Sequence, residues 1–282
     1  MEKKILLLAV VIGMICLCSS QVFALDFLGP PASSLLKGQT SVGLAYFSGQ
    51  MDLDVDIKDT WGWYSSEEDS EEGIDYIKDE FDGVKQQRAF VDVSHGIDDN
   101  IDIFGRIGGS RLEIHEYTWF SGEDLIFDGD MGLALGGGIR GTIYEQNGTK
   151  FGVVGVFNWS ETEDQRQAIF AGQPYSSAEI EYYEVVLACG VVHPLAPNVN
   201  VYGGPFFYWF DGEIEGKGAE YDEDGNGGSY ERWKISGDLE EDGNVGGYLG
   251  ALFDITDNWS LAAEFQYADG ASGFGVNAIW TF

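Results

Sequence analysis

The chain of 282 residues reads as all-β: a transmembrane antiparallel up-and-down β-barrel of about ten strands, with eight and twelve also admissible. Three observations predict it. Segments of about ten residues alternate with period two, apolar side chains on one face and small or polar ones on the other, which is the pattern of a strand between lipid and a packed or wet interior. The connections after the odd-numbered strands are long and acidic, whereas those after the even-numbered strands are three to five residues; a barrel crossing a membrane has this asymmetry, and a secreted sandwich has no reason for it. Finally, the last stretch, Ser272 to Phe282, places Phe274, Val276, Ala278, Trp280 and Phe282 on one face against Gly273, Gly275, Asn277, Ile279 and Thr281 on the other.

Taken from the start, Lys3 and Lys4 precede an apolar run from Ile5 to Cys18, and Val22-Phe23-Ala24 supplies a cleavage signature. Residues 1–24 are therefore expected to be a signal peptide, and the run is too short for a comfortable membrane helix. Residues 25–38, with Pro30 and Pro31 and no alternation, read as a periplasmic lead-in, and residues 39–282 as one barrel domain. The first strand, about Gln39 to Met51, shows Val42, Leu44 and Tyr46 on one face. An acidic insertion, Asp52 to Gly83, follows. The second strand, Val84 to His95, puts Ala89, Val91 and Val93 outward and Gln86, Arg88, Asp92 and Ser94 inward; after a turn at Gly96–Asn100 the third sets Ile101, Ile103, Gly105 and Ile107 against Asp102, Phe104, Arg106 and Ser110. Beyond a second loop, Glu116 to Asp130, the fourth strand (Met131–Tyr144) opposes Leu133, Leu135, Ile139 and Ile143 to Gly136, Gly138, Arg140 and Thr142. Asn147-Gly148 then makes a tight turn, because both residues tolerate positive φ.

The fifth strand (Phe151–Ser160) alternates Phe151, Val153, Phe157 and Trp159 with smaller residues, and a third loop spans Glu161 to Ala178. The sixth (Glu179–His193) carries Tyr183, Val185, Leu187, Cys189 and Val191 outward and Tyr182 and Glu184 inward. Pro194–Asn198 turns into the seventh (Val199–Phe210), which is aromatic on both faces and so has no assigned orientation. The fourth loop is Asp211 to Gly243, within which Tyr230 to Leu239 alternates well enough for an extra strand or an extension above the membrane. The eighth strand (Asn244–Ile255), the turn Thr256–Asn258 and the ninth strand, from Trp259, lead to the last one. Trp159, Trp209, Trp259, Tyr267, Trp280 and Phe282 fall near strand ends, where interfacial rings belong. In hydrocarbon an unpaired sheet edge costs several kcal/mol per group, so the last strand must pair with the first.

Charge narrows the function. One acid and two bases of the 48 acidic and 15 basic residues fall in the leader, leaving 47 and 13, a net of −34; this excludes nucleic acid as a natural partner, since phosphate binding needs Lys and Arg. The first and fourth loops hold 13 and 12 acidic residues against two and three basic ones, a negative vestibule that would concentrate cations. Two of the three cysteines leave with the signal peptide. Cys189 remains, and it reads as an unreactive buried thiol. The inward face collects Arg88, Asp92, Arg106, Arg140, Glu184 and Glu264. Such groups either pair as a salt-bridged packing that fixes register or form a constriction that selects ions.

Asp222-Glu223-Asp224-Gly225-Asn226-Gly227 resembles the opening half of an EF-hand calcium loop, with Asp222, Asp224 and Asn226 as the calcium ligands. The bidentate Glu of that loop is missing, because Trp233 holds its position. No other cofactor is expected. The terminal strand ending in Phe282 is similar to the C-terminal strand of bacterial outer-membrane β-barrels, the class that includes small porin-like and OmpA-like domains. That resemblance implies recognition by the barrel assembly machinery, a bacterial outer-membrane location with both termini periplasmic, and lipid and lipopolysaccharide as neighbours. It is consistent with a narrow, cation-favouring channel or a structural barrel. The alternative is a surface interaction or adhesion protein whose loops bind an extracellular partner through exposed aromatics such as Trp61, Trp63 and Trp233. The omptin surface proteases share an acidic mouth, and Asp52 and Asp54 could be set beside their aspartate pair. However, His95 and His193 fall at the opposite end and His115 follows Glu113 without an Asp-x-His. A protein without catalytic activity is expected.

Overall fold

The computed structural model describes residues 26–64, 70–117, 124–164, 175–222, 229–241 and 245–282. The signal-peptide assignment and residues Glu223 to Gly227 of the calcium motif lie outside them. The strands are β1 (Thr40–Tyr64), β2 (Ser70–Asp98), β3 (Ile101–Tyr117), β4 (Asp124–Asp128), β5 (Gly132–Gln146), β6 (Thr149–Asp164), β7 (Tyr175–Ala196), β8 (Val199–Asp222), β9 (Ser229–Glu240), β10 (Val245–Asp254), β11 (Trp259–Ala268) and β12 (Ala271–Thr281). All pairings are antiparallel. β1 pairs β12 from Ser41↔Thr281 to Met51↔Ala271, and β8 pairs β10 from Val199↔Phe253 to Phe207↔Val245. Ten strands therefore close into a ring (β1, β2, β3, β5, β6, β7, β8, β10, β11, β12) with no free edge inside it, as lipid requires. The expected count of ten holds for this ring, and β4 and β9 are added above it.

The outside of the ring is apolar. Leu44, Val91, Ile103, Ile107, Leu135, Ile139, Phe157, Leu187, Leu249 and Phe265 are all 40% or more exposed there. Patches this large are untenable in water and belong against lipid. The aromatic belt forms at both rims, with Trp259 stacked on Trp280 at 6.2 Å and Phe207 on Trp209 at the same distance. Cys189 faces outward on this wall and is exposed, which corrects the buried thiol of the sequence reading: its strand's apolar face is the lipid face. On β8, Tyr202, Phe206, Tyr208 and Phe210 point inward and Phe207 and Trp209 outward, which settles the orientation that two aromatic faces left open.

Where they are described, the long connections carry paired strand, β3 with β4 from Glu113↔Asp128 to Tyr117↔Asp124 among them. β1 and β2 continue as a paired ladder from Leu53↔Phe81 to Tyr64↔Ser70, β6 and β7 as far as Asp164↔Ala178, and β7 and β8 as far as Tyr175↔Ala219. β9 bridges β8 to β1 above the short strands β10–β12, pairing Glu240 with both Asp211 and Asp54. In these extensions the alternation keeps its period but exchanges its faces. Leu53, Val55, Ile57, Ile180, Ile214, Ile235 and Leu239 are buried inside, while Asp54, Asp56, Glu181, Glu213 and Glu240 stand outside. A hydrophobic core thus sits on top of the membrane barrel, continuous with the apolar side chains inside it.

Candidate functional site

The lumen of the membrane ring is occupied. Residues 26–35, expected as a lead-in outside the barrel, run inside it: Asp26, Phe27, Leu28, Ala32, Ser33 and Leu35 are buried. This corrects the expectation. The segment has no alternation because its backbone is served by wall side chains and not by a strand partner. Glu264 accepts the Leu28 and Gly29 amides at 2.9 Å each, Gln266 donates to the Asp26 carbonyl at 2.7 Å, and Asp102 accepts Ser33 Oγ at 2.7 Å and the Ser34 amide at 2.8 Å. Lys150 donates to the Ser33 carbonyl at 3.1 Å. The wall is also shaped for it. A Cβ on Gly152 would stand 2.5 Å from Ala32 Cα, and one on Gly275 2.8 Å from Phe27.

The six ionisable groups predicted inside the ring are all inside. Arg106 donates to Asp26 at 2.6 Å, beside Asn158, which donates to the same oxygen at 2.5 Å. Arg88 forms a salt bridge with Glu184 and lies 3.8 Å from Asp26, and Glu184 also accepts from Tyr208 at 3.0 Å. Asp92 accepts from Asn277 at 3.0 Å. Arg140 packs over the Phe104 ring, its Cζ 4.9 Å from the centroid. Glu264 serves the plug. Between the two sequence readings, packing and pairing describe this geometry: burial of Arg88, Arg106 and Glu184 is tolerable because each has a countercharge. Sequence reasoning missed Asp26 and Asn158 and found no partner for Asp102 and Gln266, both on inward faces; nothing in its sequence setting marks Asp26.

Below the plug a cavity of about 700 Å³ opens at the short-turn end, between Asp92, Asn277, Arg140, Phe104 and Leu35. Above the plug the path meets Met51, Val84, Tyr182, Tyr208 and Phe210, all buried, with the apolar interior of the extensions beyond them. Among the described residues the lumen is filled at two levels, by the N-terminal segment and by the upper core.

On the outside of the extensions, carboxylates stand in cross-strand register. Glu161 faces Glu181, which faces Glu213, then Asp238, then Asp56; Glu163 faces Glu179, which faces Glu215. The first rung ends at Lys78, bonded to Asp56 at 2.5 Å. Like charges directly opposite repel. Desolvation, and then the charges of Glu161, Glu163, Glu181 and Glu215, raise the Glu179 carboxyl above its ordinary value.

Asp222 ends β8, and its side chain, with Asp224 and Asn226, lies outside the described residues. Asp52 and Asp54 sit at the base of the extension, whereas His95 and His193 bond Thr40 and Thr149 at 3.0 and 2.8 Å at the short-turn end.

The closed ring and its apolar belt define the class: a transmembrane β-barrel of the bacterial outer-membrane type. No family model matches the chain, and no curated protein matches it. Solved structures similar to it include the attachment invasion locus protein Ail of Yersinia pestis (10% identity, 88% of this chain and 100% of that one, TM-score 0.29) and the outer membrane protease OmpT of Escherichia coli (11%, 91% and 97%, TM-score 0.41). An outer membrane channel from Pseudomonas putida F1 is similar at 11% identity over 92% of this chain and all of that one, TM-score 0.39. The barrel assignment stands on the strand pairing.

Proposed function

We propose that this barrel is an anchor, closed to through-flow, that holds a stiff acidic β-wall above the outer membrane as a surface for cationic partners, with the short turns and both termini in the periplasm. One observation carries the reading: among the described residues the lumen is packed with side chains at two levels, while the outward rungs of Glu161, Glu181, Glu213 and Asp238 are built on paired strands. A ladder of like charges costs stability, and binding a polycation would offset that cost. The sequence reading of a cation-favouring channel is the second possibility, supported by the cavity of about 700 Å³ at the short-turn end. We assign no catalytic role.

Two measurements on the refolded protein test this together. In a planar bilayer under a salt gradient the intact protein, and a variant lacking residues 26–36, should both be silent, because the upper core remains. Poly-lysine should bind the protein, and the quadruple change of Glu161, Glu181 and Glu213 to Gln and Asp238 to Asn should weaken that binding at least tenfold. Discrete cation-selective openings of the intact protein would return the function to a channel, and unchanged poly-lysine binding would remove the wall as the surface.

A further inference from the structure

Three arginines point into the ring, and two of them are matched, Arg88 by Glu184 and Arg106 by Asp26. Arg140 is not. Among the described residues it makes no ion pair and no hydrogen bond. Asp102 stands directly across from it in the β3–β5 register, but both Asp102 oxygens are taken, Oδ1 by the Ser33 hydroxyl and Oδ2 by the Ser34 amide. Asp92, the other carboxylate whose charge reaches it, accepts from Asn277. The guanidinium is nevertheless held in place. One side packs on the Phe104 ring. On the other stands Gly29 of the N-terminal segment, where a Cβ would lie 3.4 Å from Arg140 Nη1. Gly29 takes φ +71°, so glycine both turns the segment and leaves room for the arginine head.

This fixed, unmatched fork lines the cavity of about 700 Å³ at the short-turn end, together with Phe27, Leu28 and Leu35 of the segment. Ligand pockets have volumes of roughly 300–1,000 Å³ and combine apolar walls with a few placed polar groups. A guanidinium stacked on an aromatic face suits a planar carboxylate, which it takes through two parallel hydrogen bonds. The same walls carry Asp92, Asp254 and Asp257, which oppose a second negative charge on the ligand. One carboxylate is therefore favoured over a dicarboxylate or a phosphate.

We propose that this cavity binds a small monocarboxylate, its charged end on Arg140 and its apolar body against Phe27, Leu28 and Leu35. The site opens at the short-turn end, and it stands whether or not the wall above the membrane binds a polycation.

The test titrates the refolded protein with sodium butyrate and sodium benzoate by calorimetry. At least one should bind saturably, one molecule per chain. The neutral counterparts, butyramide and benzamide, should bind roughly tenfold more weakly or worse, because the charge-assisted bonds are lost. Succinate and inorganic phosphate should be weaker by a similar factor. Arg140→Met should abolish the saturable component while the urea midpoint stays equal or rises, since no ion pair is broken and a charge inside the ring is removed. Arg140→Lys keeps the charge without the fork and should weaken binding about tenfold. Absence of saturable binding of both acids, equal binding of acid and amide, or parent-like affinity in Arg140→Met would each overturn the proposal, as would succinate or phosphate binding as tightly as the monocarboxylates. Should Arg140→Met not fold, parent-like affinity in Arg140→Lys overturns it instead.

Discussion

Replacing Asp26 by Ala removes one carboxylate and exposes the logic of the whole lumen. Among the described residues Asp26 is the one ion-pair partner of Arg106, which is 6% exposed; Arg88 keeps Glu184. Taking one partner from a buried pair costs about 3–5 kcal/mol, because the other charge is left without compensation. Arg106 would retain the faces of Phe90 and Phe104, each 5.3 Å from its Cζ, worth on the order of 1 kcal/mol. Asn158 also loses its acceptor, at about 1 kcal/mol. The expected destabilisation is therefore about 3–4 kcal/mol, measured by urea titration of tryptophan fluorescence in refolded protein. Arg106→Met in the Asp26→Ala background should recover at least half of it, since an apolar side chain of similar length removes the stranded charge. A single-variant loss below about 1 kcal/mol, or additive effects in the double variant, would refute the view that pairing with the N-terminal segment makes the buried arginines tolerable.

Two further outcomes follow from the same geometry. Glu241 in the folded protein binds its proton up to about pH 9, far above the unfolded value of about 4.3. The folded state therefore holds more protons than the unfolded between those values, and stability should fall as pH rises from about 5 to 9 and level off above; Glu241→Gln should flatten that fall in urea titrations at pH 5, 7 and 9. Gly152→Val should displace the N-terminal segment, since its Cβ would meet the Ala32 backbone at 2.5 Å, and overpacking of this kind costs about 1–3 kcal/mol. A cysteine placed at Ser33 should react with maleimide at least tenfold faster in that background, and equal rates would mean the segment accommodates the change.

What the sequence makes legible is whatever one strand's alternation carries. Leu133, Leu135 and Ile139 against Gly136, Gly138 and Arg140 need no neighbour to be read, and the inward placing of Arg88, Arg106 and Glu184 follows from period two alone. The partners of those groups are another matter. Asp26 lies 80 positions from Arg106 and 132 from Asn158, and the Glu264 carboxylate reaches backbone amides 236 and 235 positions away. No local signal records such pairings, and Pro30-Pro31 reads as an ordinary linker. The density of acid hid the extensions. Asp54, Asp56 and Lys58 look like loop composition until Leu53, Val55 and Ile57 between them are seen to be buried.

That hidden alternation explains why wall and barrel form one body. Along β7 the inward positions run Ile180, Tyr182, Glu184 and Val186, and the outward ones Glu179, Glu181, Tyr183, Val185 and Leu187. The backbone pleat does not change along this stretch, yet the outer face turns from aliphatic to acidic at Tyr183 and the inner face from charged to apolar at Tyr182. The two solvents impose this. Lipid demands an apolar exterior and leaves the polar groups to pair inside, as Glu184 does with Arg88; water above the membrane reverses the demand. Tyr182 stands at the crossover, its hydroxyl shared with Ser110 at 2.5 Å and Gln86 at 3.0 Å while its ring stacks on Phe210 at 5.1 Å. A strand that keeps its pairing through this exchange has no hinge at the membrane surface. The described part of the acidic wall is therefore continuous with the barrel below it, which is what the anchored surface proposed above requires.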